Sequence, residues 1–147
     1  MRRRARECAL QILYQLDMTT PPQESGADPE WLESAMEGYW ASFESVSKEE
    51  REFAERLARG VACELEAIDA SIASISQNWK LSRMDRVDRN LLRLAAFEIL
   101  RCPDIPRAAS INEAVEIAKR YSGTESAAFI NGILDQLGVV ESAGENT

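Results

Sequence analysis

Histidine is absent from the 147 residues, and with it the side chain that ordinarily exchanges protons near neutral pH and most often ligates metals. Cysteine is scarce. Cys8, Cys63 and Cys102 stand far apart with no histidine to join them, so neither a zinc spacing nor a disulfide framework is present, and all three read as buried thiols. No apolar run approaches the roughly 20 residues of a membrane-spanning helix. Period-two alternation of useful length is missing, as are internal repeats, which argues against strands and solenoids. Nucleophile elbow, phosphate loop and dinucleotide glycine motif are missing too. The chain therefore reads as a binding protein, not an enzyme, with no cofactor and no metal.

Nothing at the start reads as a signal peptide, because four arginines within five positions follow Met1 and then an amphipathic pattern without a continuous apolar centre. The expected location is the cytoplasm. What is present is ordinary for a globular domain, 45% hydrophobic and 29% charged, at a length that buries roughly two-thirds of the unfolded surface. The net charge of −8 disfavours nucleic acid at first sight. It hides an asymmetry: residues 1–10 hold four of the 17 cations and one of the 25 anions, leaving 13 cations against 24 anions elsewhere.

Residues 2–17 form an amphipathic helix with Ala5, Cys8, Ala9, Ile12, Leu13 and Leu16 inward and Arg2, Arg3, Arg4 and Arg6 crowding its first turns. Cations at a helix start oppose the macrodipole and repel one another. Their guanidinium groups suit phosphates and base stacking, so an anionic polymer is one reading and a solvated, frayed terminus the other. Tyr14, away from the apolar stripe, is either a contact residue or an amphipathic tyrosine at the core edge. A turn-rich stretch with two proline-containing turns leads to a helix from Pro29 to about Phe43. Its stripe of Trp31, Leu32, Ala35, Met36, Tyr39, Trp40 and Phe43 is core, with any excess an oligomer surface.

Ser47 and Glu50 make a capping box that opens one long helix, in which Phe53, Ala54, Leu57, Val61, Leu65, Ile68, Ile72 and Ile75 step by three and four. Gly60 bends it or admits a neighbour. After a break at Gln77-Asn78-Trp79, a short turn over Leu81–Met84 precedes a helix from Val87 to Leu100. There Arg83, Arg86, Arg89 and Arg93 alternate with Asp85 and Asp88 as a salt-bridged surface would, not as a second phosphate site.

The chain is organised around residues 110–138. Ser110 and Glu113 form a second capping box, with Ile111, Ala114, Val115, Ala118 and Tyr121 at helical spacing. A break at Ser122-Gly123 and a cap at Thr124 lead to a last helix with Ala127, Ala128, Phe129, Ile130, Ile133, Leu134 and Leu137 as its stripe and Gly138 as its stop. Asn131-Gly132 stays helical despite its hairpin signature, because the surrounding apolar residues recur at three and four. A helical glycine costs roughly 1 kcal/mol relative to alanine, which calls for close packing there or a ligand against the backbone. The expected fold is all-α, a compact bundle of about seven helices. One domain over 1–138, with helical subdomains at about 1–76 and about 79–138, precedes an acidic tail at 139–147.

The run Arg2-Arg3-Arg4-Ala5-Arg6-Glu7-Cys8-Ala9-Leu10-Gln11 followed by Leu13-Tyr14 resembles the opening of the NusB transcription antitermination factors. The resemblance continues through Val87-Asp88-Arg89-Asn90-Leu91-Leu92-Arg93-Leu94-Ala95 with Glu98, and Asp104-Ile105-Pro106. It resumes at Ile111-Asn112-Glu113-Ala114-Val115-Glu116-Ile117-Ala118-Lys119 and at Phe129-Ile130-Asn131-Gly132-Ile133-Leu134-Asp135, sparing only residues 18–46 and the tail. It implies a helical protein that binds the boxA RNA of ribosomal RNA leader transcripts together with the small-subunit ribosomal protein NusE. That pair would join other Nus factors on RNA polymerase so that elongation resists termination.

Carried over by position, the resemblance implies RNA contacts at Arg2, Arg3, Arg4, Arg6, Tyr121, Glu125 and Phe129 and a ribosomal-protein face at Tyr14 and Asp88. Tyr121 and Phe129 would stack bases, Glu125 would accept from a base amino group, and plain core packing is the other reading of Phe129. Two departures from the family pattern, the absence of a basic arm before Arg2 and the acidic remainder, are expected to make RNA binding lean on the partner. Two rivals stand. A helical domain of the kind fused to ribosomal RNA cytosine methyltransferases would need an α/β domain with a catalytic cysteine, and no such domain is found here. A protein-only adaptor or homodimer would use the arginine helix on an acidic protein surface.

Overall fold

A computed structural model of the chain describes residues 2–19, 29–42, 46–76 and 79–145, with side chains from Arg2 to Leu137 apart from that of Pro29. The described residues form α1 (Arg2–Thr19), α2 (Pro29–Ser42), α3 (Lys48–Cys63), α4 (Leu65–Ile75), α5 (Arg86–Arg101), α6 (Arg107–Tyr121) and α7 (Thr124–Glu145), with a 3-10 turn at Leu81–Arg83 and no strand among them. The all-α expectation holds.

The inward stripe of α1 is buried as its spacing predicts, and Arg6, Glu7 and Leu10 are buried with it. A helix buried nearly all round is a central helix, and α5 is the second. Leu91, Leu92, Leu94, Ala95, Ala96 and Phe97 are all in the core together with Asn90 and Glu98. α5 packs on α1, α3, α4, α6 and α7. That position falls to α5 and not to the segment 47–75, which the sequence reads as one strut.

That segment is two helices. Glu64 sits at φ −117°, ψ 24°, its N–H donating to the Gly60 carbonyl at 3.1 Å while its own carbonyl accepts from Ile68 at 2.9 Å. The break lets α3 carry Phe53, Leu57 and Val61 onto α1 and α5, and α4 carry Ile68 and Ile72 onto α5 and α7. Within α3, a Cβ on Gly60 would lie 2.0 Å from Phe97 Cζ, so the glycine admits the ring. The capping box at Ser47 is present on both sides, Glu50 N to Ser47 Oγ and Ser47 N to Glu50 Oε1, each 3.1 Å.

The second box is not. α6 starts at Arg107 behind Pro106, and Ser110 lies buried inside the helix with its hydroxyl donating to Glu98 Oε1 at 2.9 Å. Glu113 instead receives Arg3. Two remote charges outcompete a local cap, because a buried carboxylate must be supplied with donors. In α2, Leu32, Met36 and Tyr39 enter the core, Trp31 stays 48% exposed, and Phe43 lies outside the described residues. Cys8 and Cys102 are buried, whereas Cys63 is exposed at the end of α3. Gly123, at φ 112°, makes the turn between α6 and α7 in a region that favours glycine. α7 runs through Gly138 to Glu145 and is not stopped there. Gly132 is exposed, and nothing lies within 4 Å of where its Cβ would be, so close packing does not account for it.

Candidate nucleic-acid interface

The four N-terminal arginines differ in their surroundings, although Arg2 and Arg6 both lie over the Phe53 ring. Arg2 is exposed, its guanidinium 4.5 Å from the centre of the Phe53 ring on α3. Arg3 grips Glu113 on α6 with Nε at 2.7 Å and Nη2 at 3.2 Å, which holds the Glu113 carboxyl below its usual range against the effect of partial burial. Arg4 is exposed and makes no ion pair among the described residues.

Arg6 corrects the expectation drawn for it. Its side chain is 4% exposed and forks onto Glu98 at 2.7 to 3.1 Å. A guanidinium so engaged is a structural charge that ties α1 to α5, and it is not available to phosphates. Arg3 and Arg6 also explain how a helix can begin among cations: both are neutralised by carboxylates of other helices, which offsets the unfavourable macrodipole.

Tyr121, at the end of α6, is 44% exposed. Its hydroxyl donates to Glu7 Oε2 at 2.9 Å, and Arg120 lies 3.4 Å from the same carboxylate with its guanidinium 5.6 Å from the Tyr121 ring centre. Burial and the bond to Glu7 push the phenol up from its ordinary value, against the charges of Arg120 and Arg4. Arg4 stands one turn before Glu7 on α1. The hydroxyl is spent inward, the ring stays neutral and accessible, and Arg120 borders it. Glu7 and Arg120, which orient the ring, were not singled out on sequence; the available signal was a glutamate two turns of α1 before Tyr14, on the same edge.

Tyr121 also lines a groove of about 320 Å³ with Glu7, Leu10, Gln11, Tyr14, Gln15 and Val87. Tyr14 and Tyr121, expected on a protein face and an RNA face respectively, thus share one surface. Asp88 follows Val87 in α5 and accepts from Ser126 in the first turn of α7 at 3.0 Å, while its other oxygen is buried without a hydrogen bond among the described residues. Glu125 beside Ser126 is exposed. Phe129 is half-buried against the core. The arrangement brings Arg4, Tyr121 and Tyr14 to one edge where α1, α5, α6 and α7 converge, and it turns Arg2 toward α3 and Arg6 inward.

Arg83 and Arg86 are not salt-bridged to Asp85 and Asp88 as their alternation suggests. Asp85 caps α5 by accepting from Val87 N at 2.8 Å. The paired arginines of that run, Arg89 and Arg93, reach instead to Asp17 on α1 and Asp69 on α4, at 2.6 and 2.8 Å. No group of three or more metal-binding side chains occurs among the described residues, and no helix there is long and apolar enough to cross a membrane.

The NusB family model matches residues 3–138. A Desulfitobacterium hafniense relative named transcription antitermination protein NusB is 50% identical over 144 residues, covering 98% of this chain and 90% of its own. Among solved structures, T. maritima NusB superposes with a TM-score of 0.80 at 38% identity, covering 94% of this chain and 90% of that one. A structure of the antitermination factors NusB and NusE in complex with dsRNA shares the fold, with a TM-score of 0.74 at 24% identity and coverage of 95% and 98%. By its sequence over residues 3–138 and by the arrangement of its helices, the chain belongs to the NusB family.

Proposed function

We propose that the chain is a cytoplasmic, RNA-binding transcription antitermination factor that acts by binding and not by catalysis. It takes the boxA RNA of ribosomal RNA leader transcripts jointly with the ribosomal protein NusE, and the pair joins other Nus factors on RNA polymerase. The observation that carries this reading is Arg4, an exposed guanidinium without an ion pair among the described residues, one helical turn before Glu7, which receives the hydroxyl of the exposed Tyr121. Single-stranded RNA is held by cations along its backbone and by aromatic faces under its bases, and this edge offers both.

Arg2, Arg3 and Arg4 are assigned to phosphates, with Arg3 giving up part of its hold on Glu113. Tyr121 is assigned to a base, with Glu125 and Phe129 beyond it on α7, and Tyr14 and Asp88 to the protein partner. The name of the Desulfitobacterium relative supports the biological setting. The acidity of the remaining surface makes the partner the expected source of additional affinity.

The test is a titration of labelled boxA RNA into the protein, with and without NusE, at several salt concentrations. Arg4→Ala is expected to weaken binding and to lower the slope of log affinity against log salt by about 0.7, the value for one phosphate on a single strand. Absence of RNA binding in both conditions, or an unchanged affinity and slope in the variant, overturns the assignment.

A further inference from the structure

Among the described residues every lysine and arginine has a carboxylate or an aromatic ring against it, except four: Arg4, Lys80, Arg83 and Arg86. All four are exposed. In a chain with 25 acidic groups for 17 basic ones, cations left without a counter-charge are the anomaly. Three of the four lie within seven residues of one another.

The neighbouring carboxylates are occupied. Asp85 is turned to the amide of Val87 as the cap of α5, and Asp88 takes the Ser126 hydroxyl. The segment is also fixed. Arg83 N donates to the Lys80 carbonyl at 2.9 Å, Arg89 Nη1 holds the Leu81 carbonyl at 3.0 Å, and Met84 is buried beneath. Trp79, at the head of the segment, is 53% exposed. An exposed indole and three exposed cations within eight residues suit bases and phosphates together, whereas an acidic peptide would need only the cations. Val87, the neighbour of Arg86, lines the groove that Tyr121 also lines.

We propose that residues 79–86 are a second contact for single-stranded RNA, in which Lys80, Arg83 and Arg86 take phosphates and Trp79 stacks on a base of the strand that continues past Tyr121. This rests on the RNA-binding reading above and extends it from Tyr121 to the segment that precedes α5.

The experiment uses the full chain and a boxA RNA carrying its natural flanking sequence, titrated at several salt concentrations against wild type, Arg83→Ala with Arg86→Ala, Trp79→Phe and Arg4→Ala. Both arginines are exposed and unpaired, so thermal melting should show the double variant as stable as wild type. Its affinity is expected to fall three- to tenfold and its salt slope by about 1.4, two phosphates' worth. RNA should quench tryptophan fluorescence in wild type and do so less in Trp79→Phe. Unchanged affinity and slope in the double variant overturn the proposal, as does a loss confined to NusE binding, which would make the segment a protein contact. Failure of the parent reading looks different: wild type itself would not bind RNA, or Arg4→Ala would bind as well as wild type.

Discussion

Arg6 on α1 and Glu98 on α5 meet at 2.7 Å with 4% and none of their side chains exposed, and Ser110 on α6 gives the same carboxylate a further hydrogen bond at 2.9 Å. Three helices are joined at one buried charge. Removing one partner of such a pair costs about 3–5 kcal/mol, while replacing both with apolar residues is often neutral. Arg6→Ala is therefore expected to lower the urea midpoint sharply, and Arg6→Met with Glu98→Met to recover most of it, with RNA affinity of the folded protein unchanged. A variant of normal stability and weakened RNA binding would return Arg6 to the interface.

The two roles of Tyr121 separate by substitution. Its hydroxyl serves Glu7 and its ring is exposed. Tyr121→Phe should lower stability by about 1.5–3 kcal/mol, one part-buried hydrogen bond to a charged group, and leave RNA affinity nearly intact. Tyr121→Ala should remove about 1–3 kcal/mol of base stacking, a loss visible as weaker filter binding. Equal affinities for the two variants would mean that no base stacks there.

Acid should loosen the tie between α1 and α5. Burial pushes the Asp17 carboxyl up, but hydrogen bonds from Arg89 and Asn90 outweigh it and the net shift is downward. A carboxyl with a depressed folded-state pKa contributes stability above its unfolded value, about 3.9, and loses that contribution as pH falls through the folded value. The stability difference between wild type and Asp17→Asn should thus be constant from pH 7 to about 5 and shrink below about 4, as read from urea midpoints across pH. A difference that does not depend on pH would mean that Asp17 is held by something other than its charge.

Two helical glycines should respond oppositely to alanine. At Gly60 the new methyl would meet the Phe97 ring at 2.0 Å, and overpacking of this kind costs roughly 1–3 kcal/mol. Phe97→Leu should relieve part of it in the double variant. At Gly132 the space is open, so alanine should stabilise by roughly 0.5–1 kcal/mol. Calorimetry distinguishes them by the sign of the change in Tm.

What could be read along the chain was whatever is decided locally. The apolar row of α1 and the Ser47 box depend on residues three or four apart, and both are found where the spacing puts them. The Ser110 box is equally good on paper, yet Arg3 and Glu98 lie 110 and 12 residues from its two members and set their roles. Glu64 carries neither glycine nor proline to announce the break between α3 and α4. Alternating signs over residues 83–88 suggest pairing, but one aspartate caps a helix and the other meets a serine. At the interface, the arginine cluster was legible as a composition. Its division into exposed Arg2 and Arg4, half-committed Arg3 and buried Arg6 follows from which helices surround α1, which local spacing does not encode.

The Arg6 clamp has a further consequence for the residues just before it. Arg2 and Arg4 ride on backbone that the core has already organised, unlike a basic arm that must fold against its target. A nucleotide strand arriving there meets charges at set positions, so little chain ordering accompanies capture, and the heat-capacity change on binding should be small for so charged a surface. Recognition at this end of the molecule is thereby a matter of fit to a template that exists before the transcript does.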